Sequence, residues 1–316
     1  MNPSTRQREL EIDHSGILVR SVCVFNTQAV VGSNCRNTMA KGQKMTELPA
    51  QNAHDQEIAS GERFSFGANW ARFLRLLDEQ RIQQAIDSLK TMLDVENLHG
   101  KSFLDVGSGS GLFSLAARRM GAKVVSFDYD PGSVACSKEL KRRYFELDDE
   151  WQVQTGSVLD QTYLHGLGKF DIVYSWGVLH HTGNMWAALA NVHENVAGGG
   201  KLFIALYNHQ PVASKYWMFV KRTYNKYRIS RPLFILLHAF YPTLPSVVLR
   251  HIQNRKYPRG MSVWYDLLDW LGGYPFEVST PGQVFDFYKK KGYLLTILGT
   301  VGGRMGCNEF VFQRDS

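Results

Sequence analysis

The segment Lys101-Ser-Phe-Leu-Asp-Val-Gly-Ser-Gly-Ser-Gly-Leu-Phe113 constrains the fold of this chain more than any other. Its short, mostly apolar run from Phe103 to Val106 has the length and character of a strand buried in a parallel sheet. Glycines follow at alternate positions, Gly107, Gly109 and Gly111, and a helical pattern from Leu112 to Met120 begins at once. Glycine lets a backbone turn tightly and approach a ligand with no Cβ in the way. The helix start beyond it offers unpaired N–H groups to an electron-rich partner.

Dinucleotide-binding folds use a similar turn, with the spacing G-x-G-x-x-G. In this sequence the third glycine comes one residue early, and Asp105 stands two positions before the first. A carboxylate there repels a pyrophosphate and suits a cation. The pattern resembles the D-x-G-x-G-x-G loop of class I S-adenosylmethionine-dependent methyltransferases, whose cofactor is cationic at its methionyl end. The next apolar run, Lys123 to Asp128, ends on a carboxylate about 20 residues on, the spacing of an acidic residue that accepts from ribose hydroxyls. The resemblance continues through Gly156-Ser-Val-Leu-Asp160 and Asp171-Ile-Val-Tyr-Ser-Trp-Gly-Val-Leu-His-His-Thr182, and covers roughly 98–208 plus the C-terminal tail. It implies S-adenosylmethionine as cofactor. The residues it implies as holding that cofactor are Asp105, Gly107, Ser108, Gly109, Gly111, Leu112, Phe113, Asp128, Tyr129, Asp130, Ser157, Val158, Ser175, Trp176, Gly177 and His180, with Tyr129 against the adenine.

Strand-like and helix-like runs alternate from 102 to 207, with strands near 102–106, 124–128, 151–155, 170–175 and 201–207. Such alternation specifies a parallel sheet covered by helices on both faces, with ligands outside the carboxyl ends of the strands. Gly198-Gly-Gly200 reads as the turn into the fifth strand. Thr280-Pro281 starts a helix with a cap residue and a first-turn proline, and two further strands close the chain. The resemblance implies an α/β, Rossmann-like, doubly wound sheet of seven mainly parallel strands in the order 3-2-1-4-5-7-6. Spacings of three and four predict helices between 56 and 98, with Phe64, Phe66 and Trp70 either covering the active-site mouth or serving as core aromatics. The expected organisation is an extension over 1–45, disordered or wrongly included upstream of a start at Met39 or Met45; a helical segment over 46–98; the methyltransferase domain over 99–208 and 280–316; and a helical cap over 209–279 inserted after strand 5.

Charge is unevenly placed. Between Tyr207 and Tyr265 stand ten basic residues and no acidic one (Lys215, Lys221, Arg222, Lys226, Arg228, Arg231, Arg250, Arg255, Lys256 and Arg259). Setting those ten aside turns the formal net charge of +7 into −3, so the basicity belongs to the cap. The four cysteines, Cys23, Cys35, Cys136 and Cys307, form neither a C-x-x-C pair nor a zinc spacing, which favours a reducing, cytoplasmic setting. No ligand set for a metal is evident, no apolar run of 18 residues occurs, and the N-terminus lacks a signal-peptide pattern.

Methyl transfer from a sulfonium needs alignment and exclusion of water, plus a base only where the acceptor must lose a proton. His180 and His181 are the first candidates for that base, or for orienting the loop beneath the cofactor; His209 is the next. Tyr207, Asn208 and His209 are expected on one face at the end of strand 5. With Tyr265, Asp269, Trp270 and Arg304, Tyr207 and Asn208 are the candidates to line the acceptor pocket. Ser175-Trp-Gly-Val178 stands where amino-methylating DNA enzymes carry Asn/Asp-Pro-Pro-aromatic, and that loop holds neither a Pro-Cys nucleophile nor a glutamate pair. The expected acceptor is therefore a small molecule or one linked to lipid or glycan, and the chain is similar to bacterial quinone- and natural-product-modifying methyltransferases. An RNA methyltransferase using the basic cap, a non-catalytic cofactor-binding module and peripheral contact of 209–260 with an anionic membrane are the other readings. Oligomeric state is not read from the sequence.

Overall fold

The computed structural model describes residues 11–12, 18–21, 49–239 and 263–316. The expected start sites Met39 and Met45 lie outside these residues, as do Cys23, Cys35 and the side chains of Tyr265 and Asp269.

The strands are β1 (Glu11–Ile12), β2 (Leu18–Ser21), β3 (Ser102–Val106), β4 (Lys123–Asp128), β5 (Trp151–Thr155), β6 (Phe170–Trp176), β7 (Val196–Tyr207), β8 (Tyr293–Thr300) and β9 (Cys307–Arg314). They form one sheet in the order β1-β2-β8-β9-β7-β6-β3-β4-β5. Counted from β3, the last seven are 3-2-1-4-5-7-6, the expected order. β5, β4, β3, β6 and β7 run parallel, and β9 lies antiparallel between β7 and β8. The two short N-terminal strands add to the β8 edge, Leu18 pairing Ile297 in parallel; no periodicity in the sequence marks them.

The helices are α1 (Pro49–Ser60), α2 (Gly67–Leu76), α3 (Glu79–Leu93), α4 (Leu112–Arg119), α5 (Pro131–Tyr144), α6 (Gln161–Leu167), α7 (Met185–Glu194), α8 (Ala213–Lys226), α9 (Arg231–His238), α10 (Val263–Gly272) and α11 (Pro281–Lys289). Side chains alternate across each parallel strand, so neighbours serve opposite cores. Phe103 packs with Leu89, Leu115 and Leu140 on the α3–α4–α5 face, whereas Leu104 packs with Leu164, Leu189 and Val284 on the α6–α7–α11 face.

Local chemistry sets the helix starts. Asp78, Asp130 and Asp160 accept from the backbone N–H groups of Arg81, Gly132 and Tyr163 at 2.9, 2.7 and 3.0 Å. Thr280 and Gln283 form a reciprocal capping box with Pro281 in the first turn. The glycine triplet departs from expectation, being an irregularity inside β7 rather than a turn before it. Pairing jumps from Phe170–Val196 to Ile172–Lys201, and a Cβ on Gly200 would meet three backbone carbonyl oxygens at 2.9–3.1 Å. The short α6, with a glycine inside it, is the helix that the sequence pattern does not mark.

This topology places a switch point between β3 and β6, where the connections diverge to opposite sides of the sheet. The crevice outside their carboxyl ends is the site such sheets provide.

Candidate functional site

At the end of β3 the three glycines hold φ of +78°, +53° and +80°, in the left-handed region that favours glycine. A Cβ on Gly107 would lie 2.3 Å from Val178, and one on Gly109 3.0 Å from the Trp70 ring. The loop is thus closed in by the β6 turn on one side and by α2 on the other.

Two carboxylates flank it on neighbouring strands. Asp105 is buried and accepts from the Ser114 hydroxyl at 2.5 Å. Burial pushes its carboxyl up to about 7, the Ser114 bond opposes this, and the nearby Asp128 adds to it. Asp128, half-buried at its surface, accepts from the N–H groups of Gly109 at 2.8 Å and Asp130 at 2.9 Å. Burial pushes it up to about 6 against those donors. Each of its oxygens keeps a lone pair for a further donor such as a sugar hydroxyl.

Ser108 bonds Ser137 across the loop at 3.0 Å, and Ser175 donates to the Val106 carbonyl at 2.9 Å, tying β6 to β3. Ser157 turns its hydroxyl to the Leu159 N–H, Val158 is core, and Leu112 and Phe113 pack against the α3–α4–α5 core. Trp176 donates to Glu309 of β9 at 2.7 Å.

The N-terminal segment lies over these groups. Asp130, while capping α5, also accepts from the Gly67 N–H at 2.7 Å, fixing the start of α2. Arg63 pairs with Glu57, lies 4.9 Å above the Tyr129 ring and donates to the His181 carbonyl at 3.1 Å. One side chain therefore joins the end of β4 to the loop after β6. Trp70 rests on the glycine loop and also packs against the α3–α4–α5 core, and Phe66 sits 5.3 Å from the His181 ring.

Beside the loop, His180 and His181 enter an aromatic chamber. The Tyr207 ring centroid is 3.9 Å from His180, 5.4 Å from His181, 5.8 Å from Trp270 and 5.3 Å from Phe276. Lys221 of α8 is fully buried there, donating to the Trp270 carbonyl with Nζ 4.2 Å from that ring's centroid.

The two imidazoles are held in opposite senses. His180 Nδ1 accepts from the Tyr207 N–H at 3.3 Å, which puts its proton on Nε2, and that buried atom has no partner among the described residues. His181 Nδ1 donates to the Pro275 carbonyl at 2.6 Å, which leaves Nε2 a bare acceptor. Both rings are held toward the neutral form. Burial, the neighbouring His181 and Lys221 depress His180 strongly; burial pushes His181 down to about 3, with Lys221 and Arg63 opposing the Pro275 bond. The Glu277 N–H bonds the His180 carbonyl at 3.0 Å, so the 275–277 loop pins both residues.

Three sequence candidates fall elsewhere. Strand alternation separates Asn208 from Tyr207: its amide donates to the Gly302 and Arg304 carbonyls and it accepts from Asn308, so it braces the β8–β9 hairpin. His209 is exposed, and so is Arg304. Conversely, sequence reasoning missed Arg63, Pro275, Phe276 and Glu309 as site-forming residues. Lys221 had a readable signal, since it shares a helical stripe with Trp217, Val220 and Tyr224. Among the described residues no group of three or more His, Cys, Asp or Glu is placed to hold a metal. A surface groove of about 550 Å³ lined by Trp186, Gln283, Asp286, Phe287, Lys290 and Lys291 contains none of the groups above.

A methyltransferase-domain family model matches residues 77–233. The chain carries a class I S-adenosylmethionine-dependent methyltransferase domain. The ubiquinone biosynthesis O-methyltransferase of Xanthomonas oryzae pv. oryzae (strain PXO99A) is 30% identical over 128 residues, 40% of this chain and 51% of that one. The ribosomal protein L11 methyltransferase of Helicobacter hepaticus is 35% identical over 122 residues, 37% of this chain and 32% of that one. The match thus spans about half the length of the first relative and about a third of the second. Among solved structures, the magnesium protoporphyrin IX methyltransferase of Synechocystis PCC 6803 with bound S-adenosylmethionine aligns with a TM-score of 0.48 at 13% identity, covering 86% of this chain and 100% of that one.

The methyltransferase domain suits that cofactor on its own chemistry. Asp105 is a buried carboxyl that a cation would return to its charged form, and Asp128 offers acceptors beside the glycine loop. Bound there, the cofactor supplies an activated methyl group.

Proposed function

We propose that this protein transfers a methyl group from S-adenosylmethionine to a hydroxyl oxygen of a small, planar acceptor held among Tyr207, His180, His181, Trp270 and Phe276. The observation that carries this reading is the opposed tautomers of the histidine pair. A hydroxyl donates one hydrogen bond and accepts another, and the pair offers one bare Nε2 and one Nε2–H. Neutral imidazoles in a buried chamber keep both functions at physiological pH. His181 is assigned the base: its Nε2 is the bare acceptor, and of the two rings it alone keeps a carbonyl partner on Nδ1 that favours the protonated form against the burial and cations that depress it. His180 is assigned the donor that holds the acceptor oxygen in line. Aromatic walls and the N-terminal cover exclude water, which a displacement at a sulfonium carbon requires.

Oxygen as the accepting atom agrees with the name of the ubiquinone O-methyltransferase relative, and an acceptor carried on a lipid or glycan falls within the same reading. The test supplies isotopically labelled S-adenosylmethionine to the purified protein with fractionated extract and with hydroxylated aromatic compounds. Label in an ether-linked product supports the reading. Label in nucleic acid or on nitrogen refutes it, and measured cofactor binding without label in any fraction marks a binding module instead.

A further inference from the structure

We propose that the outer face of the α8–α9 hairpin is a docking surface for an anionic lipid membrane. The inner faces of this hairpin are already satisfied. Val220 and Tyr224 of α8 pack with Leu267 and Leu271 of α10, and Phe234 and Ile235 of α9 join them. Tyr216 ties the two helices together by bonding His238 Nε2 at 2.9 Å.

The opposite faces are apolar and, among the described residues, uncovered. Phe219 is 63% exposed, Ile229 in the connection between the helices 91%, and Leu233, Leu236 and Leu237 each more than half. In α9 these leucines recur at spacings of three and four, so they form one stripe. Among the described residues, nine of thirteen exposed large apolar side chains fall between Val212 and Leu237. That concentration is not the scatter of single surface apolar residues common to folded proteins.

Interleaved with them, Lys215, Arg222, Lys226 and Arg228 are all exposed, and no acidic residue occurs between Tyr207 and Tyr265. Apolar side chains beside cations, with no anion among them, are complementary to an acyl–headgroup boundary carrying negative lipids. The two other candidate occupants fit less well. A second copy would bring like-charged patches face to face. A nucleic acid would satisfy the cations but leave Ile229 and the leucines without the stacking that bases offer aromatic rings. Among the described residues no helix is long and apolar enough to cross a membrane, so this contact is peripheral.

The inference is independent of the catalytic reading, because lipid binding needs no turnover. The full chain is floated with vesicles of phosphatidylcholine alone or mixed with phosphatidylserine, with cofactor binding by calorimetry as the check that each variant is folded. Binding to the anionic vesicles only, weakening with added salt, is expected. Arg222→Gln and Lys226→Gln should each lower partitioning about fivefold. The triple change Ile229→Glu, Leu233→Glu, Leu236→Glu should lower it by at least about tenfold, with cofactor binding unchanged. Failure to bind either vesicle overturns the proposal. So does binding that competes with RNA and ignores the triple change, or a concentration-dependent dimer that the triple change abolishes in a protein indifferent to lipid.

Discussion

On the reading proposed above, the cofactor side and the acceptor side of the site are built by different means. The cofactor side is made from backbone and two carboxylates within a single β–α–β unit, Ser102 to Asp128. Its shape depends on φ values near +53° to +80° and on N–H groups aimed at Asp128, so few side chains are needed and those few are constrained. The acceptor side is made from side chains delivered by the β6 turn, the end of β7, α8, α10 and the loop before α11. Phe66 is added from beyond the other end of the domain. A backbone site tolerates little change and serves one ligand. A side-chain chamber can be rebuilt position by position for different acceptors.

Gly107→Ala should break the first side outright. The new Cβ would sit in the left-handed region and 2.3 Å from Val178, so either the loop or the β6 turn must move. Strain of about 1–3 kcal/mol plus displacement of the donors should weaken cofactor binding on the order of 100-fold or more by calorimetry. Gly166→Ala, with nothing within 4 Å of its Cβ, is the matched control for substitution alone. If Gly107→Ala bound the cofactor normally, the loop would not be the cradle.

That contrast also explains what could be read in the sequence. Gly107, Gly109, Gly111, Asp105 and Asp128 announce themselves because their spacing along the chain is their geometry. The strand order came with the family resemblance that those residues carry; alternation alone specified only a parallel sheet covered on both faces. The chamber has no such signature: Tyr207, Lys221, Trp270 and Phe276 meet only through topology, and the Pro275 carbonyl that sets the His181 tautomer has no side chain to notice. Tyr207, Asn208 and His209 show the limit in miniature. Neighbours at a strand end looked equivalent, but alternation parts Tyr207, in the chamber, from Asn208, on the hairpin, and His209, past the end of β7, is exposed.

His181→Gln probes the second side. Glutamine can accept a hydrogen bond but is no base, so kcat should fall on the order of 100- to 1,000-fold while cofactor affinity stays within about twofold. His180→Gln should act mainly on KM for the acceptor, because the lost group is a donor that positions it. An equal loss in both variants, with affinity for the cofactor falling too, would make the pair a structural prop of the β6 turn and erase the distinction drawn between the two sides.

Asp105→Asn gives the smallest change, and one whose two effects have opposite sign. In the folded chain burial pushes Asp105 up to about 7, whereas its ordinary value is 3.8. Between those limits the native state holds a proton that the unfolded chain has released, so stability falls as pH rises and the whole penalty is present above pH 7. Asparagine can still accept from Ser114 and carries no charge to desolvate. The variant should therefore melt with the wild type near pH 4 and exceed it at pH 8, by no more than about 4 kcal/mol. Asp128, pushed up to about 6, remains in both proteins and leaves each a residual fall below that pH. Cofactor affinity should move the other way, because the wild type gains a cation partner as Asp105 ionises and the variant cannot. Its affinity should be about tenfold weaker at pH 8, with the difference shrinking toward pH 5. A variant that is more stable yet binds the cofactor as tightly at every pH would show that Asp105 braces α4 through Ser114 and faces no ligand; the cofactor side would then rest on backbone and Asp128 alone.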